Sequence, residues 1–190
     1  MTLLSSMPDD QQIVSCTRSW VEAFVVGLNL CPFSKKELVN DRVRFVVTEA
    51  DKEEDLLKAL AQELDLLSTD NAIETTILIH PAVLQKFEDY NQFLSLTDAL
   101  IAEMDFEGVF QVASFHPDYQ FGGTQSEDAE NYTNRSPYPI LHILREESLE
   151  LAIAHHSAID QIPVRNIALM NEMGSERLKE MLGETGPSTS

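Results

Sequence analysis

Apolar residues first recur at helical spacing, at Ile13, Cys16, Trp20, Phe24 and Leu28, until Pro32 stops the pattern, so the start of the chain predicts one amphipathic helix. Residues 42–49 (RVRFVVTE) switch to a β-branched, alternating pattern and predict a strand. Asp51 followed by Glu54 resembles a capping box and opens a second helix that buries Leu56, Leu57, Leu60, Leu64 and Leu67. Residues 75–79 (TTILI) form a short, nearly continuous apolar run, the pattern of a strand covered on both faces of a parallel sheet. Val83 to Met104 reads as a helix broken near Tyr90 and Asn91. Gly108 then opens a third strand, Val109 to Phe115, which ends in His116-Pro117.

Tyr119 to Ser136 is polar and glycine-containing, too long for a simple connection and therefore expected to be functional or partly mobile. Pro137 and Pro139 suit the start of a helix carrying Leu141, Leu144, Ser148 and Leu151, and two more helical stretches run from Val164 to Met173 and from Ser175 to Leu182. Residues 1–9 and 183–190 read as flexible tails of a single domain spanning 1–190. Strands alternating with crossover helices predict an α/β fold, a small layered domain with a parallel or mixed sheet of about three to four strands flanked by helices. The alternative is a ferredoxin-like α+β fold, with its fourth strand within Ile140 to Arg145.

Composition narrows the partners. Thirteen basic residues against 32 acidic ones give a net charge of −19, which repels nucleic acid and anionic membrane surfaces. That charge serves solubility or, alternatively, docks a basic partner. The N-terminus lacks a basic start followed by an apolar stretch, so a cytoplasmic protein is expected and the sequons Asn131-Tyr132-Thr133 and Asn134-Arg135-Ser136 are idle. Cys16 and Cys31 fall on the first helical stretch, about 22 Å apart at 1.5 Å per residue, which predicts free thiols.

Two strands end alike, in Ile79-His80-Pro81 and Phe115-His116-Pro117, and the carboxyl edge of an open α/β sheet is where ligands bind. His116 is the candidate proton carrier with Asp118 to orient it, Arg135 and Arg145 are candidate anion clamps, and His142 shares a predicted helix face with Arg145. The plainer alternative for each histidine is a bond to a backbone carbonyl. His116, Asp118 and His142 would also supply three ligands of a metal site with an open position, but no HExxH or CxxC spacing supports a metal and none is expected. Cys31, at the helix boundary, is a candidate nucleophile or a half-buried small hydrophobe; Cys16 belongs to the core. The pairs Lys35-Lys36 and His155-His156 read as solvated surface, and Gly122-Gly123 as a turn without a phosphate-loop context.

In GLNLCPF (27–33), TTILIHP (75–81), FQVASFHPDYQFGGT (110–124) and NYTNRSPYPILHILREES (131–148) the chain resembles a bacterial domain family of unknown function. The resemblance implies no activity, substrate or cofactor, but its segments coincide with the strand ends and the polar stretch. It also places Asn131 and Asn134 beside the candidate site, as ligand contacts or as turn-forming residues. The functional expectation is a small-molecule enzyme or a protein that binds an anionic metabolite at the carboxyl edge, with His80 among the ligand-binding residues. The alternative is a non-catalytic binding or assembly protein whose polar residues form an internal network.

Overall fold

A computed structural model describes residues 8–155 and 161–185. Asp9 and Gln12 close a reciprocal capping box at the start of α1 (Asp10–Trp20). Instead of continuing as one α-helix towards Pro32, the chain widens into a π-helical turn at Val21–Val26. Gly27 donates back to Glu22 and Leu30 to Val25, five residues each, and the turn stops at Asn29, where φ is 53°. Any Cβ at Gly27 would collide with the Ala23 carbonyl, so this tight winding needs glycine. A short helix absent from the sequence reading follows, α2 (Ser34–Val39).

Next come β1 (Val43–Val47), α3 (Glu53–Thr69), β2 (Thr75–Ile79), α4 (Phe87–Glu103) and β3 (Phe110–Phe115). The expected Asp51 cap is absent: α3 begins after Lys52 without a side-chain cap, and Glu53, Glu54 and Asp55 offset its N-terminal dipole instead. Nor does α4 break at Tyr90 and Asn91, because Tyr90 is buried in the core and holds the helix to the sheet. The main correction is β4 (Ile140–Arg145), a strand where the leading reading has a helix and only the alternative fold has its fourth strand; α5 (Glu146–His155) starts only after it. This run forms a ladder with a neighbour on each side, and such central strands read as continuous apolar runs that periodicity cannot tell from buried helix. The chain ends in α6 (Ile162–Met173) and α7 (Ser175–Thr185). Gly183–Thr185 thus close a helix, Asp9 caps one, and His156 and residues 186–190 lie outside the described residues.

The sheet is mixed, in the order β1-β2-β4-β3, with β1 and β2 parallel and β4 antiparallel to both its neighbours. The crossover through α4 is therefore split, with β4 inserted between β2 and β3. On one face Leu78, Leu141, Ile143 and Phe110 pack against Leu56, Leu60, Leu64 and Leu67 of α3 and Phe93 and Ile101 of α4. On the other, Ile77, Ile79 and Ile140 pack against Ile13, Trp20 and Phe24, with Met170 and Leu178 of α6 and α7. All five β2 residues are buried, which makes β2 the spine of a layered α/β domain. No helix among the described residues is long and apolar enough to cross a membrane.

Candidate functional site

Both β2 and β3 run antiparallel to β4, so they run parallel to each other and deliver His80 and His116 to the same carboxyl edge. Both imidazoles pack against Tyr90, with ring centroids 5.7 Å and 5.1 Å away. Both are fully buried and engaged by backbone. His80 donates from Nδ1 to the Val83 carbonyl at 3.0 Å, while its Nε2 finds no partner among the described residues. His116 accepts the Asp118 backbone N–H at Nδ1 (3.0 Å) and faces the Leu84 carbonyl with Nε2 (3.1 Å), which fixes the neutral Nε2–H tautomer. Burial lowers the pKa of both rings, that of His80 to about 4. Asp118 therefore orients His116 through its main chain, and the residue itself is exposed.

His142 and Arg145 do not share a face, because three residues along a strand point to opposite sides of the sheet. On the α1 side, the Thr75 hydroxyl spends its single proton on the Ile143 carbonyl (2.6 Å), and its oxygen accepts from His142 Nε2–H at 2.8 Å. Burial pushes the His142 pKa down to about 4. On the α3 side, Arg145 lies over Phe110, and its Nη2 reaches the carbonyls of Leu67, Asp70 and Ile73, tying off the C-terminal end of α3. Arg135 lies over the Tyr132 ring and donates to the carbonyls of Tyr119 and Ser126. The polar stretch is thereby a built loop with a 3-10 turn at Ala129–Thr133. Fully buried Asn131 is its keystone, accepting from the Phe121 N–H and the Thr124 hydroxyl and donating to the Gln125 carbonyl.

The residues that do meet at a concavity are Cys31 and Asn134. They border a cleft of ≈ 380 Å³ at the carboxyl edge, between the π turn, the loop and the N-terminal end of α6. Val25, Leu30, Phe115 and Phe121, with Ile162, Pro163 and Ile167 of α6, supply its apolar lining. The polar groups of the lining are Cys31, Thr133, Asn134 and Asn166, and none of its described residues is charged. Asn134 is held by donation to the Ser114 carbonyl (3.0 Å) and by the Thr133 hydroxyl, and no acceptor for its second amide hydrogen is found among the described residues. Sequence reasoning missed Asn166, which donates to the Leu30 carbonyl (2.9 Å) and fixes the Cys31 turn to α6. Its signal was a short polar residue inside the apolar stripe of a helix. Both cysteines are free thiols. Cys16 is core: its thiol faces the Thr185 carbonyl at 2.7 Å, and burial raises its pKa to about 11. No three His, Cys, Asp or Glu side chains among the described residues gather closely enough to share a metal ion.

Fold and cleft together define an α/β layered domain with an uncharged concavity at the carboxyl edge of its sheet. Residues 12–180 match the family described as "Protein of unknown function (DUF1415)", and the chain belongs to that family. No curated protein and no solved structure matches it.

Proposed function

We propose that the protein binds a small, uncharged, mainly apolar molecule in the Cys31 cleft, with the spare amide hydrogen of Asn134 fixing a carbonyl or hydroxyl end of the ligand. One observation carries this reading: in a chain of net charge −19, the described lining of the ≈ 380 Å³ cleft contains no charge at all. Its size falls at the lower end of small-molecule sites, about 300–1,000 Å³, and its apolar walls with a few polar groups follow their usual composition.

An anionic metabolite held by Arg135, Arg145 and His142 is less well supported. Each guanidinium already donates to backbone carbonyls, and His142 and Arg145 face opposite sides of the sheet. Proton transfer by His116 meets the same difficulty, since both its ring nitrogens are engaged.

The test is a thermal-shift panel at fixed ionic strength that sets neutral amides, esters and alcohols against phosphate, sulfate and small carboxylates. It is run on wild type, on Arg135→Ala, and on Ile167→Trp, which fills the cleft from an already exposed position. A neutral ligand at 100 times its dissociation constant stabilises the fold by about 2.7 kcal/mol. That shift is expected in wild type and Arg135→Ala and lost in Ile167→Trp. Stabilisation by an anion that Arg135→Ala abolishes would replace this reading with the anion site.

A further inference from the structure

The turn joining β2 to α4 is pinned by two histidines from two strands. His80 at the end of β2 donates to the Val83 carbonyl, and His116 at the end of β3 donates to the Leu84 carbonyl of the next residue. Leu84 has a φ of 57°, a left-handed conformation that a branched side chain adopts only under outside constraint. On its other ring nitrogen His116 accepts the Asp118 N–H, and its main-chain N–H donates to the Asn134 carbonyl at 3.2 Å. One residue thus fastens both ends of the 117–134 loop to the turn.

The same residue leads to the cleft. Phe87 packs on His116 and on Tyr119, and Tyr119 packs on Phe121, with centroid distances of 5.6, 5.0 and 5.0 Å. Phe121 and Asn134 are walls of the cleft.

We infer that His116 is an acid-sensitive latch on this loop, whose protonation frees the Asp118 end of the 117–134 segment and, through Tyr119 and Phe121, opens the Cys31 cleft. The inference rests on the cleft as the ligand site. Its chemistry is one of donors and acceptors. A neutral imidazole serves the Asp118 N–H with a lone pair and the Leu84 carbonyl with a proton; an imidazolium has no lone pair, so its Nδ1–H would point at the Asp118 N–H. The ring must then stay neutral or release the turn. Asp118 and Glu88 are the charged groups facing it and favour the proton, Tyr90 and Tyr119 are the phenols beside it, and burial outweighs both carboxylates. His80 packs on the same Tyr90 ring, and a charge on either imidazole disfavours one on the other.

Hydrogen exchange of the unliganded full chain, followed by mass spectrometry from pH 7.5 to 5 and corrected for intrinsic rates, tests the latch. Peptides from 117–134 should lose protection with acid before those of α3, by up to about tenfold for each pH unit below the 6.5 of an unperturbed imidazole. His116→Asn keeps an oxygen acceptor for the Asp118 N–H but cannot titrate, and should hold the loop equally at every pH. His80→Asn should leave the acid response in place. Should His116→Asn fail to fold, the Asp118 amide resonance of the wild type must move with the His116 ring titration. Loss of protection together with α3, an acid response that survives in His116→Asn or vanishes in His80→Asn, or an Asp118 amide indifferent to the His116 titration overturns the latch. Because loop opening is read without ligand, failure of the latch and failure of the ligand panel are separate results.

Discussion

Replacing Tyr90 by phenylalanine removes one oxygen and keeps the ring. The hydroxyl donates to the Ile140 carbonyl at 2.7 Å and accepts the Phe115 N–H at 3.1 Å, and those two residues are partners across β3 and β4. It therefore bridges the point where the ladder opens. The side chain is completely buried, and burial raises the phenol's pKa, so the group remains a donor at any ordinary pH. Tyr90→Phe leaves a carbonyl and an N–H without water or partner; at about 1–3 kcal/mol for each buried orphan, the loss is about 2–4 kcal/mol after partial closure of the strands. For a chain of this size the midpoint falls by about 2–4 °C per kcal/mol, a total of roughly 5–15 °C. Urea unfolding with an unchanged slope is the cleaner measurement. A loss under about 0.5 kcal/mol would mean that the strand ends close directly on each other and that the hydroxyl bridge is dispensable.

Arg145→Met should cost about 1.5–3 kcal/mol, because it frees the Leu67 carbonyl in the last turn of α3 and those of Asp70 and Ile73 just after it, and removes a cation from the negative end of a helix dipole; a change below about 0.5 kcal/mol in urea unfolding refutes the cap. Stability should also fall with acid. His80 and His142 titrate near 4 in the folded chain against 6.5 when unperturbed, so between those values the unfolded chain binds more protons, and the stability present above pH 6.5 is lost as pH drops. Urea midpoints that stay level from pH 7 to 5 would show that these rings titrate normally in the fold.

Local pattern was enough for the helices and strands whose period is unambiguous. The α3 leucines, the β-branched run of β1 and the apolar block of β2 each have one sensible reading, and the order of elements implied crossover connections and a layered α/β domain. The two strand-His-Pro endings likewise placed both histidines at one sheet edge, because parallel strands bring like ends together.

What the sequence could not decide depended on neighbours distant in the chain. Ile140–Arg145 has apolar spacing that suits a helix or a strand, and only the vacant ladder positions of β2 and β3 make it a strand. That single choice sends His142 and Arg145 to opposite faces, where a helix would have given them one. Arginines and histidines look available in a sequence, since hydrogen-bond partners sixteen or seventy-eight residues away leave no local trace. The Cys31 cleft shows the converse: its walls come from the π turn, the loop and α6, and their meeting is fixed by long-range contacts such as Asn166 with Leu30, 136 residues apart. Residue type and period are properties of a segment, and the sequence determined those. Which distant backbone groups a polar side chain meets is a property of the packed chain, and only the tertiary structure decided it.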